Sequence, residues 1–223
     1  VRLIHRKFAA ITTAASKDES RPFLTGVFVK EESEGKVTLA ATDGGRLIMV
    51  EIPDAGGQDF PAIDGMPTED NGVQSGIIPA EAFAKVLKAN KVKRFMPILE
   101  KVAVALRENG EKQEAVLAFT DLEQPTVTKV PIRRGTEFPN YTQVIPDAEK
   151  AVFTVSVNAG YLAEVLMVIT RMVEGNRNGT ACVTMRFFEG PNEKGGSMVP
   201  FRLDAEDEDG AKIVAVVAPM RKY

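Results

Sequence analysis

The sequence predicts an α+β fold built from a repeated strand–helix–three-strand unit, with the helices on one face of antiparallel sheets. Three observations lead there. Three segments show the same succession of patterns: an apolar stripe at helical spacing, then three short runs of strand-like residues. Clusters of Gly, Pro, Asn and Asp separate those segments. The basic residues gather on the helical stretches, although the chain of 223 residues has a net charge of −3.

The first helix is expected from Leu3 to Ser16, where Ile4, Phe8, Ile11 and Ala15 make an apolar stripe and Arg2, Arg6, Ala9, Thr13 and Lys17 the opposite one. Strands are expected at Gly26–Lys30, Lys36–Ala41 and Arg46–Ile52, with Glu34-Gly35 as a hairpin turn. Asp54 to Asn71 reads as a loop. The second unit opens with a strand at Gly76–Ile78. Pro79 then leads into a helix over Ala80–Asn90, a first turn being where proline is tolerated. Phe83, Val86 and Leu87 form its inward face, and strands follow at Val102–Arg107, Ala115–Thr120 and Val127–Arg133. After a connector, Gly135 to Lys150, the third unit has a strand at Val152–Val157 and a helix capped by Asn158. Leu162, Val165, Leu166, Ile169 and Met172 are its expected core stripe. Its strands are expected at Ala181–Phe188, Met198–Asp204 and Ile213–Ala218, with a turn-rich linker from Glu189 to Gly196. On this reading the first unit lacks its leading strand.

Two units make one two-layer domain. The expected division is therefore a complete domain over residues 1–146, from units 1–53 and 76–146, followed by a half-domain over residues 147–223. A lone half-domain exposes an apolar helix face and sheet edges, so self-association is expected.

The composition narrows the function. At 44% hydrophobic residues the chain has ample material for packed domains. No run of 18 uncharged apolar residues marks a membrane span, and the first 25 residues carry no signal-peptide core. One cysteine, Cys182, rules out an intrachain disulfide and fits a reducing cytosol. The overall acidity argues against a uniformly basic nucleic-acid binder. Yet Val1 to Lys17 holds four Lys/Arg and no acid, and Pro79 to Lys101 holds six against two glutamates.

Several segments resemble the bacterial DNA polymerase III beta subunit, the DNA sliding clamp, in that family's order. Arg21-Pro-Phe-Leu-Thr-Gly-Val27 and Ala41-Thr-Asp-Gly-Gly-Arg-Leu47 are similar to its middle domain, and Phe138 to Pro146 to the segment closing that domain. Val155-Ser-Val-Asn-Ala-Gly-Tyr161 and Val216-Val-Ala-Pro-Met-Arg221 resemble its last half-domain. Two residues depart from the family pattern: Gly45 stands where histidine is usual, and Pro22 where an aromatic is common. The resemblance implies a DNA-clamp fold that assembles into a ring. The family ring has twelve half-domains, so three per chain imply a homotetramer.

A clamp must hold double-stranded DNA without reading its sequence, which calls for Lys and Arg presented to phosphates by a ring of helices. The candidates are Arg2, Arg6, Lys7 and Lys17 from the first helix, Lys85, Lys88, Lys91, Lys93 and Arg94 from the second, and Arg171 from the third. Arg21 is a further phosphate candidate. Phe23 is read either as a base-stacking residue or as a core residue in a turn. The resemblance also implies a pocket for short linear peptides from a DNA polymerase and a clamp loader. Its matching positions are Thr42, Gly44, Arg46, Leu47, Pro139, Val144, Asn158, Tyr161, Val216, Val217, Pro219, Met220 and Arg221.

Catalytic readings find little support. His5, the only histidine, is expected on the surface of a basic helix with no carboxylate near it. Cys182 is expected to be buried packing, and no acidic group has metal-ligand spacing. No cofactor is expected. The competing reading is a clamp-like binding module that captures clamp-binding peptides without encircling DNA.

Overall fold

The computed structural model describes residues 1–32, 35–53, 60–67, 72–90, 96–173, 181–188, 199–207 and 210–220. The chain forms two compact units, Val1–Ile145 and Pro146–Tyr223. Each is described by itself.

In the first unit, strand β1 (Arg2–His5) runs into a 3₁₀ helix, Arg6–Ala14. Strands β2 (Gly26–Glu31), β3 (Val37–Thr42) and β4 (Leu47–Ile52) follow. Then come β5 (Ser75–Pro79), helix α1 (Ala80–Ala89), β6 (Lys101–Asn109), β7 (Lys112–Thr120), β8 (Pro125–Pro131) and the short β9 (Arg133–Arg134). Two antiparallel sheets result, in the orders β1-β6-β7-β8 and β4-β3-β2-β5-β9. Each half lends its leading strand to the other: β1 pairs with β6, and β5 with β2.

The sequence reading is corrected at the start of this unit. Arg2–His5 is a strand, so the leading strand is present, and Ile4 lies opposite Val102 in the sheet. Ile4 is fully buried, and its helically spaced neighbours Ile11 and Ala15 are buried too. The chance continuity of that spacing conceals the switch from strand to helix. The following turns are 3₁₀ rather than α for a local reason. Ile11, Thr12 and Thr13 are β-branched, and both threonine hydroxyls donate to carbonyls three residues back, Thr12 to Ala9 and Thr13 to Ala10. Ala9, expected on the outer stripe, is buried.

The 3₁₀ helix and α1 pack side by side on the sheets. They run antiparallel: Arg6, at the start of one, donates to the carbonyl of Asn90, at the end of the other. Phe83, Val86 and Leu87 of α1 join Val27, Val29 and Leu39 of one sheet and Val102, Val104 and Leu117 of the other in a common core. Asn90 is completely buried and ties the layers together, its side-chain amide donating to the carbonyls of Leu99 (2.8 Å) and Lys101 (3.2 Å). Asn90→Ala strips both carbonyls of their donor and is expected to cost about 1–3 kcal/mol, read as a lower midpoint in urea unfolding.

A second apolar cluster covers the opposite face of the five-stranded sheet. Phe28 stacks on Phe138 at 4.9 Å between ring centroids, with Ala40 and Ile77 buried beside them and Phe23, Leu47 and Tyr141 packed around. The residues after Gly135 thus close over that sheet, which is why every residue of β3 is buried.

The second unit has helix α2 (Ala159–Val173) on a three-stranded sheet, β10 (Thr184–Arg186), β11 (Phe201–Glu206) and β12 (Lys212–Val217). Asn158 caps α2 as expected, its side-chain oxygen accepting from the amides of Gly160 and Tyr161. Ile169, Val173, Phe201, Leu203 and Val217 form the core. Three expectations are corrected. Met172 is exposed and Val173 takes its place inside, because the buried stripe sits one position round the helix. Residues 152–157 form no strand beyond a single bridge, Val157 to Pro219. Cys182 is exposed, not packed. Glu34, most of the 54–71 loop and the 189–196 linker lie outside the described residues.

Candidate nucleic-acid interface and peptide-binding surface

The helical layer of the first unit sorts the basic candidates by what holds them. Lys85 and Lys88 project from α1 away from its buried face, and both are exposed. Lys7 and Lys17 are exposed on and just beyond the 3₁₀ helix, the Lys7 ammonium lying 5.2 Å from the Phe8 ring centre. Among the described residues none of these four lysines enters an ion pair. Arg2 and Arg6 have other partners. Arg2 is half-buried against Glu31 at 3.3 Å, and Arg6 holds the end of α1. Lys91, Lys93 and Arg94 lie outside the described residues. Arg171 is exposed on α2.

The loop after the 3₁₀ helix folds on its own acid. Asp18 accepts from the hydroxyl and amide of Ser20 and from Arg21, whose Nε lies 3.1 Å away. The Ser20 hydrogen bonds, with Arg21 adding to them, hold the Asp18 carboxyl below the usual carboxylate range. Phe23 is half-buried against the Phe28 cluster, the core-side alternative of the two.

The β3–β4 turn is equally self-contained. Gly44 has a φ of +93°, a conformation natural to glycine. The Thr42 hydroxyl donates to the Arg46 carbonyl (2.7 Å) and accepts from the Gly44 amide (3.1 Å). Asp43 accepts from the amides of Gly45 and Arg46 and pairs with the Arg46 guanidinium at 3.0 Å, all of which hold its carboxyl down. Arg46 also donates to the Thr13 carbonyl, 2.8 Å away, fastening the turn to the 3₁₀ helix. Arg46, Lys17 and Arg21 consequently line one open groove of about 840 Å³, together with Asp18, Asp43 and Glu81. The sequence showed Arg46 and Arg21 only as members of two different candidate sites. Nothing in the spacing of 33 residues between Thr13 and Arg46 announces their link.

The remaining pocket candidates form one patch in each unit. In the first, Leu47 packs half-buried on the Phe28–Phe138 cluster, while Pro139 and Val144 are exposed on the closing segment. In the second, the start of α2 adjoins the end of β12: Val157 bridges Pro219, and the Met220 amide donates to the Ser156 carbonyl at 2.7 Å. Asn158 and Pro219 are half-buried there, and Tyr161, Val216 and Met220 are exposed. Val217 is 4% exposed and faces the core, so it supports this patch from beneath rather than lining it. Alternation along β12 dictates the difference between Val216 and Val217. Arg221 lies outside the described residues.

His5 is corrected. Its Nε2 lies 3.0 Å from Glu100, and its Nδ1 accepts from the Lys7 amide. β1 runs beside β6 and brings Glu100 into reach, which a helical reading of that segment could not foresee. No group of three metal-binding side chains occurs among the described residues. No described helix is long and apolar enough to cross a membrane.

No family model matches the chain, and no curated protein does. Solved structures do. The Caulobacter crescentus beta sliding clamp superposes with a TM-score of 0.63 at 17% identity, over 98% of this chain and 50% of that one. The DNA polymerase beta subunit of Streptococcus pyogenes gives 0.63 at 15%, over 98% and 50%. The DNA polymerase III beta subunit of Thermotoga maritima gives 0.60 at 20%, over 98% and 49%. The chain has the sliding-clamp fold. It spans about half the length of the clamps it matches. The first unit has two interlocked sheets with side-by-side antiparallel helices, and the second a single helix on one sheet.

Proposed function

We propose that this protein is a DNA sliding clamp: several copies close into a ring around double-stranded DNA and tether a DNA polymerase and other replication proteins to it. The observation that carries this reading is the helical layer of the first unit. Two antiparallel helices and the turn after the first present Lys7, Lys17, Lys85 and Lys88 to solvent, while Arg2 and Arg6 brace the fold. Unpaired lysines spread over a surface bind phosphate without reading sequence, with dissociation constants of roughly 10⁻⁴–10⁻⁶ M. Contacts that weak permit sliding, and residence then comes from topological closure. The acidic remainder of the chain repels DNA from other surfaces.

The exposed patches around Leu47, Pro139 and Val144 and around Tyr161, Val216 and Met220 are the proposed contacts for short linear peptides of a polymerase or clamp loader. Apolar side chains such as Met220 adapt to a peptide anchor. The proposal assigns the chain no catalytic step and no cofactor, and places it with the replication machinery in the cytoplasm. Three half-domain units per chain, against the twelve of the family ring, put four copies in the ring. Light scattering should then return four times the chain mass of 24.2 kDa.

The decisive experiment lets the subunits assemble in the presence of nicked circular DNA and isolates the DNA by gel filtration at moderate salt. The protein is expected to stay with the circle and to leave once a restriction enzyme linearises it. Equal retention on circular and linear DNA would refute encirclement and favour a module that binds peptides without enclosing DNA.

A further inference from the structure

Helix α2 carries a second apolar stripe that its own sheet does not cover. Leu162, Leu166, Ile169 and Val173 face β10–β12. About a quarter-turn away, Val168 and Met172 continue at helical spacing from Val165, which is itself half-buried against the core, and such a line is a seam along which two helices pack. Val168 and Met172 are 47% and 57% exposed. A stripe at that angle lies where a neighbouring helix would rest on a continuous sheet, and the first unit shows this arrangement realised by the 3₁₀ helix and α1.

We infer that this face pairs with the same face of a second copy, α2 against α2, about a two-fold axis. The flanking charges point to the occupant. Glu164 and Arg171 are both exposed on one side of the stripe, seven residues apart, and neither has an ion-pair partner among the described residues. In an antiparallel pair with its dyad between Met167 and Val168, Glu164 stands opposite the partner's Arg171, and Arg171 opposite the partner's Glu164. Two opposite charges are satisfied at once, as an isologous contact requires. Parallel packing would set Glu164 against glutamate and Arg171 against arginine, which is repulsive.

The sheet edges agree with this pairing. In the first unit each leading strand adds to the first strand after the other half's helix, β1 to β6 and β5 to β2. In the second unit, residues 152–157 make one bridge only, Val152 is fully exposed, and β10 is hydrogen-bonded on one side, to β11, among the described residues. A second copy supplies the missing neighbour to both. Two half-domains thereby become one complete domain, and two chains together hold three domains. The inference deepens the ring proposal and rests on it for the final number of copies, but the contact itself requires no DNA.

The test is the mass of the full chain by light scattering over a concentration series, with circular dichroism to confirm folding. Val168→Glu places a charge in the seam and is expected to weaken the contact by roughly a hundredfold or more. Glu164→Arg and Arg171→Glu are each expected to weaken it, and the double variant Glu164→Arg/Arg171→Glu to restore it. In a Cys182→Ser background, Val168→Cys is expected to form a disulfide-linked dimer on mild oxidation. A wild-type chain that stays monomeric at all concentrations, single charge variants that assemble normally, or a double variant that stays dissociated would each overturn the inference. DNA retention is scored separately. A chain that pairs through α2 but leaves circular and linear DNA alike sinks the clamp reading and keeps this contact.

Discussion

Replacing Phe83 by alanine is expected to destabilise the first unit by about 3–5 kcal/mol. Among the described residues Phe83 is the largest side chain buried without any exposure. It sits in the one core shared by both sheets and both helices, so no single layer can relax into the space it leaves. A stability of about 5–15 kcal/mol is usual for a domain, and this loss removes a large fraction of it. Urea unfolding followed by circular dichroism measures the effect. A change below about 1 kcal/mol would mean that the two halves do not share a core. Replacing the exposed Phe188 of the second unit by alanine, by contrast, should leave the first unit's transition where it was.

The second large effect concerns DNA. Reversing Lys7, Lys17, Lys85 and Lys88 to glutamate is expected to abolish measurable retention on circular DNA at physiological salt. It is also expected to flatten the salt dependence, since each lost phosphate contact lowers the slope of log K against log salt by roughly 0.9. All four side chains are exposed, so the fold should persist. Lys112 and Lys129, exposed on β7 and β8, provide the comparison: reversing them keeps the charge change in kind but moves it off the helical layer. Retention unaffected by the first set, or lost equally with the second, would show that the helices do not face the DNA. Circular dichroism on both variants separates lost binding from lost folding.

Much of this fold was legible because burial imposes periodicity. Short strand-like runs bounded by turn residues located the three strands after each helix, and the Phe83–Val86–Leu87 stripe located the core of α1. The failures have physical causes. Ile4 is buried in a strand while Phe8 and Ile11 pack on a 3₁₀ turn, and one unbroken stripe of apolar residues spans both conformations. On α2 two apolar stripes lie a quarter-turn apart. Spacing alone therefore could not decide whether Met172 or Val173 faced inward.

The candidate site was legible in composition more than in roles. Exposed lysines on amphipathic helices are visible as charge on the polar stripe. That Arg2 would be taken by Glu31 and Arg6 by the Asn90 carbonyl depends on strand exchange between distant halves, which leaves no local mark. The aromatic cluster of Phe28, Phe138 and Tyr141 was hidden likewise, Phe28 lying more than a hundred residues before the other two.

Electron microscopy of the assembled protein tests the central claim most directly. A particle with an open centre broad enough to admit a duplex, its rim formed by the helices bearing Lys85 and Lys88, is the predicted result. A solid particle, or a hole bordered by the sheets with those lysines turned outward, would contradict it.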